Sequence, residues 1–521
     1  MNARYLMMMA LMLCVGMNMN AQRDVENTPN REVFSNPAMK SYQQRTLQTE
    51  VSVGYDYRHA TTPIRLEQGT GHSRAFADVD AFLRKGKTTL WGEASYSNGS
   101  TRNIQFCETS DFELLYPYLM ADTVGGKSQQ ERYHFLGGFS HPLGRWTVAA
   151  EGSYTALMEY RTRDPRTKNL SGDLKASLAA SYRLGNPRDG YVLGLALDAR
   201  KYKQTNEVKL YNEVSVPTIY HLTGLGYDYY RFRGMNTSTY YKGYGVGGKL
   251  DWSRVNQRGW FVHLEYGYLD IDKIISSLNE LPMANIKEYR ERITCGYSIG
   301  GDRNIFGLNF SEQWIRRRGR ENIFGTAQDN VYPQIAITAP YVADKAYFTT
   351  ELNYRHIFPN KSEIGITGNL RWDSWEEWYD VADENRDENK DYYDYSDGNC
   401  VMARDLLGDA WGCGLALSGK LNLRHWQLKA DLSVEYQMSS TSSPDNFYIS
   451  DRDDVNYTLL KPVEHYYDYL SSDRQFANAM VEAGYTKDKR FNPFVRIGWQ
   501  YAHYMETEHQ NTLQVSVGVK F

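Results

Sequence analysis

The stretch Trp426-Gln427-Leu428-Lys429-Ala430-Asp431-Leu432-Ser433-Val434-Glu435-Tyr436-Gln437 sends Trp, Leu, Ala, Leu, Val and Tyr to one side of an extended chain and only polar residues to the other. Side chains of a strand point alternately to its two faces, so one face suits hydrocarbon and the other water. The aromatics Trp426 and Tyr436 bracket the apolar run, as side chains do at the two interfaces of a bilayer. The same split recurs upstream, in Tyr191, Leu193, Leu195 and Leu197 against Asp198 and Arg200, and in Leu174, Ala176, Leu178 and Ala180 against Asp173, Lys175 and Ser177.

About eighteen segments of this kind, each long enough to cross a bilayer when tilted, follow one another along the chain. Short links, such as His141-Pro142-Leu143-Gly144, Gly300-Gly301-Asp302 and Lys487-Asp488-Lys489, alternate with longer ones at 59–71, 99–129, 158–169, 203–237, 272–287, 317–343, 374–409, 439–473 and 503–509. The expected fold is therefore all-β, a transmembrane antiparallel barrel of about 18 strands (14 to 18), with short periplasmic turns and long extracellular loops. An even strand count places both termini in the periplasm. Downstream of residue 21 no window approaches the roughly 18 consecutive apolar residues of a membrane helix. The mean hydropathy of −0.62 is compatible with a barrel, which hides its apolar band by alternation.

The N-terminus reads as a signal peptide, residues 1–21: Arg4, an apolar run from Tyr5 to Met17, and a polar stretch ending in Ala21. Cys14 follows Leu13, not the small residue that lipoprotein processing wants. Residues 22–47 form a periplasmic segment or a small lumen plug, and 48–521 the barrel. The net charge of −4 and the lack of a basic stripe exclude a dedicated nucleic-acid binder.

The chain ends on Leu513, Val515, Val517, Val519 and Phe521, alternating with Gln514, Ser516, Gly518 and Lys520. This resembles the C-terminal assembly signal of bacterial outer-membrane proteins, which implies that Phe521 is read by the barrel-assembly machinery. Two further stretches, Thr109 to Gly126 and Tyr220-His221-Leu222-Thr223-Gly224-Leu225-Gly226, resemble signature segments of an uncharacterised family of Bacteroidota outer-membrane barrels. That resemblance extends over nearly all of the mature chain. It implies an architecture and a cell outer-membrane location among outer-membrane lipids, but no substrate.

Site motifs are sparse. Gly296-Tyr297-Ser298-Ile299-Gly300 fits a serine-hydrolase elbow, yet Ser298 lies in an alternating strand, so no catalytic residue is expected and the chain reads as a non-enzyme. Asp383, Asn385, Asp387, Asn389, Asp391 and Asp394 match the ligand offsets of a calcium loop, although Glu388 replaces its glycine. These residues read as a Ca2+ site or as a solvated acidic loop. The scattered histidines give no zinc or haem spacing, and His263 reads as a hydrogen-bonded wall residue. Cys107 and Cys400 fall in outer loops, where a disulfide is an option, whereas Cys295 and Cys413 face lipid.

The inferred lumen face carries both charge signs, which favours internal salt-bridging or a pore without strong charge preference over an ion-selective lining. Outer-loop aromatics, among them Trp375, Trp378, Tyr379, Tyr392, Tyr393, Tyr395, Tyr466, Tyr467 and Tyr469, offer a ligand surface or a packed loop core. The expected role is a passive or substrate-selective channel for small solutes or nutrients. Its alternative is an accessory or binding barrel working with an envelope lipoprotein or receptor.

Overall fold

The computed structural model describes residues 29–43, 47–211, 217–234, 238–329, 331–379, 404–440, 457–486 and 491–521. Eighteen strands, from Gln48–Ala60 to Glu508–Lys520, each pair antiparallel with their sequence neighbours, and the last closes on the first. The seam is in register, with Glu50 opposite Lys520, Val53 opposite Val517 and Tyr55 opposite Val515. Closure leaves no edge strand across the span, so its ladder groups pair without help from water, the requirement for crossing hydrocarbon. Phe521 extends the seam through reciprocal backbone bonds with Thr49, at 2.8 and 3.2 Å.

The period-two reading holds residue by residue. Leu178, Leu197, Val246, Leu352 and Leu370 project outward and are 62–70% exposed, a belt that only lipid would cover. Toward the short-turn end, cross-strand ring pairs Trp146–Tyr182, Trp260–Tyr297 and Trp426–Tyr485 lie 4.8–5.2 Å apart. Tyr96–Tyr133 and Tyr268–Tyr289, at 4.9 and 5.2 Å, form the matching girdle at the other end. Together belt and girdles make this a membrane-spanning barrel. Cys295 and Cys413 lie on this outer face, and Cys107 is a buried free thiol in a link.

Strand ends depart from expectation. Strands Leu281–Gly300, Asn304–Phe324 and Gln334–Ile357 are 20, 21 and 24 residues long, about twice what a bilayer crossing needs. Strands also start or end beyond the expected bounds at three links, so that those expected to be long at 158–169, 272–287 and 503–509 shrink to 162–165, 276–280 and 505–507. The extra rungs carry polar groups outward as well as inward, which hides the alternation. They are tied across strands instead: Arg318 grips Asp344 at 2.7 and 3.0 Å, and Asn285 reaches Asp272 at 2.8 Å. A second departure is helix Tyr457–Ser471 inside the expected loop 439–473.

Candidate functional site

Both ends of the lumen are occupied. At the short-turn end, residues 29–43 coil through two 3-10 turns, Arg31–Ser35 and Lys40–Tyr42, inside the barrel. Val33, Phe34 and Met39 pack on Val192 and Phe261 of the wall. Polar clamps surround this small core: Arg31 to Glu351 at 3.0 Å, Arg292 to Glu32 at 3.2 Å, Asn36 to Asp251 at 2.8 Å and Lys40 to Glu151 at 2.5 Å. The fit is close enough to need glycine in the wall, since a Cβ at Gly307 would lie 2.1 Å from Pro29 Cγ.

At the long-loop end the links fold inward as a cap. Residues 105–125 contribute a short helix, Phe112–Leu115, and strand Met120–Ala121. That strand pairs with Tyr220–Gly224, through Met120 opposite His221 and Ala121 opposite Tyr220. The two stretches that carry the family resemblance thus form one small sheet over the mouth. Their backbone carbonyls are held by the wall: Tyr241 Oη donates to Tyr118 O at 2.9 Å, and Lys273 Nζ to Leu119 O at 2.8 Å. Helix Tyr457–Ser471 completes the cap by burying Leu459, Leu460, Val463, Tyr466, Tyr469 and Leu470.

The loop aromatics accordingly make a core instead of a displayed surface. Trp375 and Tyr466 rings lie 4.8 Å apart, Tyr466 stacks on Tyr469 at 6.0 Å, and Tyr227 stacks on Tyr379 at 4.7 Å. Trp378 points outward on strand Glu363–Tyr379. Tyr392, Tyr393 and Tyr395, the acidic loop Asp383 to Asp394 and Cys400 lie outside the described residues, as does the leader. Among the described residues no cluster of three His, Cys, Asp or Glu has the makings of a metal site.

Glu67, in the 3-10 turn Leu66–Gln68, is buried beneath the cap, and its Oε2 meets no donor among the described residues. Burial pushes its carboxyl up to about 7, against the opposing pull of Arg65. The folded form therefore holds a proton that the unfolded form releases near its usual 4.5. Stability carried by this group is greatest below that value and is lost as pH rises through the window from 4.5 to about 7, by roughly 3 kcal/mol at most. Hydrogen exchange in residues 62–70 and 105–120 should thus quicken between pH 5 and 8 beyond the intrinsic rate. Glu67→Gln should flatten that rise, and an equal rise in the variant would assign it to other groups.

Between plug and cap lies a chamber of about 290 Å³ against the wall made by six consecutive strands, Trp146–Arg161 to Leu281–Gly300. Four carboxylates, Glu151, Asp198, Glu265 and Glu288, and four cations, Lys175, Arg200, Lys249 and Arg290, line it. Some are tightly paired: Arg200 holds Asp173 bidentately at 2.8 and 2.9 Å, and Glu288 takes Arg317 at 2.7 Å and Arg290 at 2.8 Å. Others are loose, with Lys249 to Asp198 at 3.6 Å and Glu265 to Arg292 at 3.9 Å. Loose pairs exchange a weak contact for a ligand contact at small cost. Gly247 faces Gly267 across two strands, and a Cβ at Gly267 would find only Arg290 Cβ, at 3.9 Å, so the missing side chains create the space.

His263 is a wall residue, fully buried, with Nδ1 2.7 Å from Asp251. Ser298 faces the lumen in mid-sheet, between Gly259 and Gly307 of its neighbours, and the strand runs on to Gly300 with no elbow. What sequence reading missed is the grouping. Alternation puts Lys175, Asp198 and Arg200 on the water-facing side, but the six-strand sector that gathers them with Glu265 and the glycine pair that hollows it depend on register.

A model described as a family of unknown function, DUF6850, matches residues 37–521. No curated protein matches the chain. Solved structures with similar strand arrangement include the FrpB iron transporter of Neisseria meningitidis, 8% identical, covering 93% of this chain and 83% of that one at a TM-score of 0.40. The ferric preacinetobactin receptor BauA of Acinetobacter baumannii is 7% identical, with coverages of 91% and 80% and a TM-score of 0.38. The alcaligin outer membrane receptor FauA of Bordetella pertussis is 10% identical, with coverages of 91% and 77% and a TM-score of 0.32.

Proposed function

We propose, from the premise that the chain belongs to the DUF6850 family of unknown function, that it is an outer-membrane barrel admitting a small polar solute when its end closures move. The observation that carries this reading is the mixed-charge chamber of about 290 Å³ held between plug and cap. That volume is at the lower end of ligand pockets, and its balanced signs suit a solute with both donors and acceptors over a bare ion. The short turns and both chain ends sit on the periplasmic side in this reading, the cap faces outward, residues 1–21 are removed on export, and Phe521 is the assembly signal.

In planar bilayers the intact protein should show little current. Deleting residues 29–43 in a variant whose cap is loosened by Arg161→Met should raise unit conductance several-fold, because both closures are then released. Adding Gly267→Trp to that deletion should lower it again by filling the chamber. Unchanged current after the deletion would sink the passage reading and leave an accessory or binding barrel. The assembly role of Phe521 is checked separately, since its removal should reduce the heat-modifiable, membrane-inserted fraction.

A further inference from the structure

Arginines inside this barrel are, as a rule, well supplied with acceptors. Arg371 spends its guanidinium on Asp373, at 3.0 and 2.5 Å, and on Glu435, at 2.8 Å. Arg496 reaches Glu482 through Nε at 2.9 Å and Glu50 at 3.0 Å. Arg474 differs. It opens strand Arg474–Tyr485 just below helix Tyr457–Ser471, is wholly buried, and among the described residues none of Nε, Nη1 or Nη2 meets an acceptor.

The surroundings of Arg474 are partly aromatic and partly polar. The Tyr469 ring of the helix lies 4.9 Å from the guanidinium carbon and supplies an aromatic wall. Across the ladder stands Gln437, also fully buried, whose amide nitrogen donates to Glu435 at 2.7 Å while its Oε1 meets no donor among the described residues. On the same face of the strand, Asn478 is exposed and bonds Ser433 at 3.1 Å, so a water-accessible part of the lumen begins four residues away. Asp373 and Glu435 already match the formal charge of Arg371 and Arg474. What the site lacks is acceptors in the plane of a guanidinium, and leaving such donors unmet in a low-dielectric interior is costly.

We propose that Arg474 is a binding site for an oxyanion, a carboxylate or phosphate group carried by a solute that enters from the lumen and lies under the Tyr469 edge of the helix. Two oxygens in a fork satisfy the planar guanidinium as no single acceptor does. The site is separate from the central chamber, and its occupancy does not depend on whether solute crosses the barrel.

The test is calorimetric titration of the purified full-length barrel with inorganic phosphate, acetate and neutral acetamide, followed by thermal unfolding. Saturable binding of phosphate or acetate and none of acetamide is expected, and the two anions separate a phosphate from a carboxylate preference. Arg474→Met should weaken the preferred anion at least tenfold, because the variant removes the guanidinium fork that would hold its two oxygens. Arg474→Lys, which keeps the charge and loses the fork, should bind with intermediate strength and serves if the Met variant does not fold. Equal binding by wild type and either variant, no saturable anion binding, or equal binding of acetamide would each overturn the proposal. A lower melting temperature of Arg474→Met together with unaltered anion binding would make the residue structural.

Discussion

Replacing Arg161 by Met is expected to destabilise the docked cap by about 3–5 kcal/mol while the barrel beneath it stays folded. Arg161 ends strand Trp146–Arg161 and is the point where link 105–125 is fastened to the wall. Its guanidinium holds the Glu108 carboxylate, the Asp122 carboxylate at 3.0 Å and the Cys107 carbonyl at 2.9 Å. Both carboxylates are fully buried, so removing their cation leaves two charges without compensation in an apolar setting. Asn169 and Asn206, which donate to the Glu108 carbonyl at 2.9 and 2.6 Å, bind backbone and do not replace the lost charge. Limited proteolysis should then cut between residues 105 and 125 in the variant under conditions where wild type resists, with unchanged heat-modifiable migration. Resistance equal to wild type would show that the cap is held by its apolar core alone.

The second large effect tests the faces of the wall. Leu432 is half exposed on the outer surface, so an arginine there meets hydrocarbon and should cost roughly 2–4 kcal/mol of folding stability near mid-membrane. Ser433, one residue on, looks into the lumen between Asp431 and Glu435, and an arginine there gains carboxylate neighbours. Leu432→Arg should therefore lower stability in lipid vesicles far more than Ser433→Arg. The reverse order would exchange the two faces, because alternation has period two.

How much of this could be read from residue order depends on whether the governing interaction is local. Alternation is local, so Trp426 to Gln437 and Leu513 to Phe521 disclose strands, faces and the position of the belt. Rungs beyond the belt, such as those joining Arg318 to Asp344, rest on cross-strand pairing and leave no periodic trace. The helix Tyr457–Ser471 does carry a trace: Leu459, Leu460, Val463, Tyr466 and Leu470 recur at helical spacing, a pattern masked by the crowd of tyrosines and by Pro462. Arg474 shows the other limit. Its sequence neighbourhood is ordinary, and only the packing of Tyr469 and Gln437 around it sets it apart from Arg371 or Arg496.

One contact of the cap bears on the order in which the molecule is made. His465 Nε2 lies 2.5 Å from the Pro63 carbonyl, a pairing between residues 402 positions apart. The shared core likewise gathers Ile64, Phe112, Phe232 and Leu470 from links at the beginning, middle and end of translation. The entropy of bringing such distant segments together is small only after the first and last strands have zipped at the seam. Docking of the cap core is therefore coupled to closure of the seam, so that loosening the seam between the first and last strands loosens the mouth as well.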